Sequence, residues 1–181
     1  MVRLEIGAHT ILSLPDALPA NHDWYRERAG LAEEFGLDPG EVPCFLAVLR
    51  PGEEHPALVV AQGKGPGVYG FGLGALLVPE TGLLLIGAGA RLLAYDLRPT
   101  PVRRLWQDEA SLGFRYWRRH GAVVLMSAEL ELAVWDVEGR KLWTTFVEPP
   151  WEYTVAGEMV TLQVMGTRTT FPLRSGPGTG R

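Results

Sequence analysis

The chain has 181 residues, 46% of them hydrophobic, and a formal net charge of −4. That length supports one domain with its own core, and the single cysteine, Cys44, excludes an internal disulfide. The negative balance argues against general nucleic-acid binding, and no run approaches the roughly 18 apolar residues that a membrane-spanning helix needs.

The opening stretch MVRLEIGAHTILSLP carries one base, then an acid, and no long apolar core. It does not read as a secretory leader, and the cytoplasm is the expected location. Val2, Leu4 and Ile6 alternate with Arg3 and Glu5 and predict a half-buried strand. A loop with Pro15 and Pro19 follows. Asp23 can then cap a helix over about 23–35, closed by Gly36, with Trp24, Leu31 and Phe35 on one side to pack against a sheet.

From Val42 onward the pattern becomes short apolar runs between turn residues. Strands are predicted near 43–50, 57–62, 68–78, 83–87, 91–96, 102–106, 112–117, 122–127, 130–136, 141–147, 152–156, 159–165 and 168–173. Cys44 lies in the run Val42–Leu49, where a buried, inert thiol is expected. The fold class is all-β: a propeller-like β-meander or a β-sandwich of short antiparallel strands, with one N-terminal α-helix. We expect one β-rich domain over 1–174 and a flexible glycine-rich tail, 175–181.

A shift of forty residues aligns IGAGARLLAYD (86–96) with MSAELELAVWD (126–136), and a Leu-Trp pair follows each copy, Leu105-Trp106 and Leu142-Trp143. A period of about forty residues built from hairpins is the size of one propeller blade. Blade-like repeats are expected at about 83–121, 122–157 and 158–174. The copy VVLMSAELELAVWDVEGRKLWTTF, with Asp136, Gly139, Lys141, Leu142 and Trp143, resembles the repeat of quinoprotein-like (PQQ-type) β-propellers, and the likeness extends over about 83–176. In that pattern Asp136 accepts turn N–H groups, Gly139 supplies positive φ, and Trp143 stacks on a neighbouring sheet. A closed propeller has at least four blades, so the resemblance implies either a degenerate blade in 40–82 or an open arrangement. It implies a scaffold and not a bound quinone; no cofactor is expected.

The motifs that could carry chemistry are few. Gly87-Ala88-Gly89 follows a strand, but Leu92 stands where a dinucleotide fingerprint needs its third glycine, so a hairpin is expected instead. In GKGPGVYGFGLG (63–74), Gly65 and Pro66 follow Lys64 where a phosphate loop needs Ser or Thr. Its glycines can still admit a ligand beside Lys64, Tyr69 and Phe71. The four histidines, His9, His22, His55 and His120, are scattered, which gives no metal spacing. Glu129 and Glu131 can share a strand face and do acid–base work, or merely solvate a turn. Trp151, after Pro149-Pro150 and flanked by Glu148 and Tyr153, is a candidate binding edge.

Charge is uneven: residues 1–90 hold 5 basic and 11 acidic side chains, residues 91–181 hold 12 and 10. The cluster Arg103, Arg104, Arg118 and Arg119 is either a solvated face or a weak phosphate or nucleic-acid patch. Arginine outnumbers lysine 15 to 2, a composition that fits a GC-rich genome and a thermophilic source.

The leading expectation is therefore a non-enzymatic binding or protein-interaction module, because scaffold signals abound and nucleophile–base pairs do not. The alternative is a small hydrolase or metal-dependent enzyme built from scattered Glu, Asp and His. Partners are expected to be another protein, or a second copy through an edge strand.

Overall fold

The computed structural model describes residues 1–65 and 72–178. Strands β1 (Val2–Ile6) and β2 (His9–Leu14) form a hairpin; helix α1 (His22–Arg28) and strand β3 (Leu31–Phe35) follow, then β4 (Pro43–Leu49) and β5 (Leu58–Gly63). These make a five-stranded sheet in the order β1-β2-β4-β5-β3, with β3 parallel to β5 and the other pairs antiparallel. Strands β6 (Gly74–Val78), β7 (Leu83–Ala88), β8 (Arg91–Asp96) and β9 (Arg103–Glu109) form a second, four-stranded meander. A third meander holds β10 (Phe114–His120), β11 (Val123–Ala128), β12 (Glu131–Asp136) and β13 (Lys141–Phe146). A fourth holds only β14 (Trp151–Ala156), β15 (Met159–Val164) and β16 (Thr167–Pro172).

The four sheets stack face to face in chain order. This explains why the central strands do not alternate: LVVAQG, LLLIGA, VVLMSA and ELAVWD are buried at every position because both faces are covered. Leu46, Val48 and Val60 pack on Leu84, Ile86 and Leu93 between the first and second sheets. Between the second and third, Trp106 stacks on Trp135 with centroids 5.6 Å apart, and within the third sheet Trp117 meets Trp135 edge-on at 5.4 Å. Between the third and fourth, Trp143 meets Phe171 edge-on at 5.5 Å.

Both ends of the stack are finished differently from its middle. The outer face of the first sheet is covered by Leu18, Tyr25 and Ala29, which pack on Phe45 and Val59. The outer face of the fourth is mainly polar: Glu152, Gln163 and Arg168 sit in register, beside Thr154, Thr161 and Thr170, with Ala156, Met159 and Pro172 at one end. Among the described residues no hydrophobic cluster joins the first sheet to the fourth. The architecture is an open, propeller-like stack, all-β with one N-terminal helix.

The forty-residue repeat is a repeat of structure. β7 and β11 start at 83 and 123, and β8 and β12 end at Asp96 and Asp136. Asp136 accepts N–H bonds from Glu138 (3.1 Å) and Arg140 (2.9 Å), and Gly139 has φ of +86°. The pair Gly87-Ala88 ends β7 and Gly89 makes the hairpin turn into β8; a Cβ on Gly87 would collide with the Phe114 ring.

Three expectations are corrected. The helix ends at Arg28, and 31–35 is a strand: Ala29 is extended (ψ 142°), and Gly30 and Leu31 donate to Pro56 and Ala57, so β5 recruits this segment into parallel pairing. The cap position is Asn21, not Asp23. β1 is not half-buried, because it is an edge strand, and Val2 and Leu4 remain 51% and 50% exposed. Just past β16, Gly176 is buried against Trp143, whose Nε1 donates to Leu173 O at 2.8 Å.

Candidate functional site

Two places stand out, at opposite ends of the strands. The first is a rim made by the connections at one end of the second to fourth sheets. The connections between sheets are tied to the hairpin turns beside them by backbone hydrogen bonds: Ala110 N to Ala90 O (2.7 Å), Glu129 N to Gly113 O (3.0 Å), Leu130 N to Ser111 O (3.2 Å), Val147 N to Leu130 O (3.1 Å) and Met165 N to Pro150 O (3.0 Å). A loop end that is laced in this way presents its side chains at fixed positions. Three large apolar side chains point outward there: Leu112, Phe146 and Met165, exposed by 61%, 65% and 64%. Leu112 and Met165 have φ of +69° and +49°, the left-handed region that bulky residues avoid.

Trp151 belongs to this rim. It is half-buried, donates through Nε1 to Glu129 O at 2.9 Å, stacks on Tyr153 at 6.4 Å, and lies under the Arg115 guanidinium, 5.9 Å from its ring. Glu148 is exposed in the same connection. Tyr153 is mostly buried in the core between the third and fourth sheets, and burial, with Tyr116 adding, raises its pKa to about 12. Lys64 sits at the same end, over the Gly89 turn, ion-paired with Asp16. Tyr69 and Phe71 lie outside the described residues.

The paired acids do not act together. Glu131 is buried, accepting from Ser111 N (3.0 Å) and Thr144 Oγ1 (2.7 Å), whereas Glu129 pairs with Arg115. Their charges are consumed in holding connections.

The second place is an open groove of about 900 Å³ between β3 and the β8–β9 connection. Glu33 spans it: Oε2 accepts the Tyr95 hydroxyl at 2.7 Å and Oε1 pairs with Arg104 at 3.1 Å. Burial pushes the Tyr95 hydroxyl far above its ordinary pKa, and Glu33 pushes further. Arg104 also lies over Phe35, 5.6 Å from its ring. Asp96 takes both oxygens to Arg98, at 2.9 and 3.0 Å, and meets Arg103 at 3.5 Å. The Arg98 hydrogen bonds hold the Asp96 carboxyl below its usual range. Arg50 fixes the connection by donating to Leu97 O (2.9 Å), Pro99 O and Thr100 Oγ1.

The arginines expected to form one patch are divided. Arg103 and Arg104 line the groove, while Arg118 and Arg119 are on β10, where Arg119 pairs with Glu80 and Arg118 lies over Tyr116 at 5.5 Å. Sequence reading missed Glu33, placed on a helix, and Arg98, whose role depends on the turn after Asp96. It also missed the rim residues Leu112 and Met165, which carry no signal until their φ is known.

Among the described residues, the groups whose pKa the fold clearly moves are moved away from neutrality. Glu5, Glu80, Asp96 and Asp136 go down, as do His9 and His120, while burial lifts Cys44 to about 11 and raises Tyr95 and Tyr153. Among the described residues no group of three His, Cys, Asp or Glu is placed to hold a metal ion, and no helix is long and apolar enough to cross a membrane.

No family model and no curated protein sequence matches the chain. Solved structures do, at the level of fold. A europium-containing methanol dehydrogenase is 15% identical with a TM-score of 0.41, over 59% of this chain and 23% of that one. BamB from Moraxella catarrhalis is 14% identical with a TM-score of 0.47, over 77% and 44%. Sqt1 from Saccharomyces cerevisiae is 11% identical with a TM-score of 0.49, over 81% and 46%. The chain thus spans less than half the length of each. The class that its own sheets define is the blade-built, propeller-like β protein.

Proposed function

We propose that the chain is a non-enzymatic protein-interaction module that docks a partner on the rim of its second to fourth sheets. The carrying observation is that Leu112, Phe146 and Met165 are held in water at one end of the stack, two of them in a backbone conformation that costs about 1–2 kcal/mol each. Large apolar side chains kept exposed at such a cost favour an interface over a solvated surface.

Native mass spectrometry of the protein gently purified from its host tests this. The wild-type chain should retain a partner chain, and Phe146→Ser with Met165→Asn should lose it while melting like the wild type. Undiminished retention by that variant, or a bound metal or small molecule with no partner chain, contradicts the proposal; the latter favours the enzyme reading.

A further inference from the structure

The groove exists because two features depart from the blade repeat and face each other. One is β3, an extra strand that the other sheets lack. The other is a longer connection after Asp96. Nine positions separate Asp96 from the Leu105-Trp106 pair, whereas six separate Asp136 from Leu142-Trp143. The additional residues include Pro99 and Pro101, in the stretch that Arg50 pins. In repeat proteins, insertions into single repeats often mark the binding face.

The groove's chemistry is lopsided. Three guanidiniums, Arg98, Arg103 and Arg104, face two carboxylates, Asp96 and Glu33. Glu33 is committed to Tyr95 and Arg104, and Asp96 to Arg98. Arg103 is left 67% exposed with a 3.5 Å contact to Asp96. Beside these charges lie Leu31, Pro101 and Val102. β3 and β9 are each the last strand of their sheet, so both present unpaired backbone groups outward.

We propose that this groove binds an acidic, extended segment of a partner protein. A carboxylate of the segment pairs with Arg103, its apolar side chains rest on Leu31 and Pro101, and its backbone runs along an edge strand. Charge complementarity selects the acidic class. The apolar lining, a surplus of a single cation and the chain's net charge of −4 favour a peptide over a polyanion. The groove is at the end opposite the rim, so loss of one contact is readable separately from loss of the other.

Fluorescence anisotropy tests it, using a labelled peptide of alternating glutamate and valine, the same peptide with lysine for glutamate, and labelled oligothymidylate. The glutamate peptide should bind saturably and more weakly as salt rises. Arg103→Glu should weaken it roughly ten- to a hundredfold, the worth of one charge-assisted contact, with Arg103→Gln in between and Arg118→Glu without effect. Melting curves check that each variant is folded. Absence of saturable binding, equal binding of the lysine peptide, or undiminished binding by folded Arg103→Glu overturns the proposal. Binding of oligothymidylate alone, abolished by Arg103→Glu, would replace the peptide with a nucleic-acid phosphate.

Discussion

Asp96 and Asp136 occupy the same place in successive sheets, each at the end of a third strand, each nearly buried, and each gripped by an arginine of the following turn. At Asp96 the Arg98 side chain is the main cause of the lowered pKa. At Asp136 burial opposes ionisation, and the Arg140 backbone and side-chain bonds with Glu138 N outweigh it. A carboxyl whose pKa is lower folded than unfolded contributes stability above its unfolded pKa, about 3.9, and that contribution is lost as pH falls through the folded value. Urea midpoints should therefore be nearly level from pH 7 to about 5 and fall below about 4. Asp96→Asn and Asp136→Asn should each cost about 1–3 kcal/mol at pH 7 and shallow the acid decline. An unchanged decline in both variants would contradict this role. Asp136, Gly139 and Trp143 were legible in sequence because the repeat printed them twice or their turn chemistry is local. Arg98 and Glu33 were not, because their partners are set by packing between sheets.

At the scale of elements, the turns around Leu112 and Met165 show local preference overruled. Glycine follows each of them, at Gly113 and Gly166, yet the residue before the glycine also takes positive φ. Replacing Leu112 or Met165 by glycine removes a left-handed penalty of about 1–2 kcal/mol against a backbone-entropy cost of about 0.5–1. Each variant should thus gain about 0.5–1 kcal/mol in denaturant unfolding and hold the partner less well. A loss of stability would mean that these side chains serve the fold. β3 was overruled in another way. The helical spacing of Trp24, Leu31 and Phe35 was real, but β5 offered the chain an open edge, and α1 keeps just seven residues, none of them buried. The β1–β2 hairpin was half legible: apolar and charged residues alternate in 2–6, whereas HTILSL runs up to the loop of Pro15 and Pro19 without a charge to mark its outer face.

For the molecule as a whole, a strand count and a repeat period led to blades, since covered strands must be apolar throughout and turns must recur. Whether the blades close was not legible, because closure depends on the outer faces of the first and last sheets. Here one face is covered by Leu18, Tyr25 and Ala29, and the other is a polar ladder of Glu152, Gln163 and Arg168. The first face is closed by the chain's own residues and the second is mainly polar, with Met159 40% exposed at one end, and the rim, the groove and edge strands such as β1 and β16 remain as surfaces for partners. Hydrogen–deuterium exchange of the chain with and without its co-purified partner separates them most directly. Added protection should fall on the connections 110–113, 147–150 and 164–167. Protection confined to β1 or β16, with these connections exchanging as in the free chain, would contradict docking on the rim and point to edge-strand pairing instead.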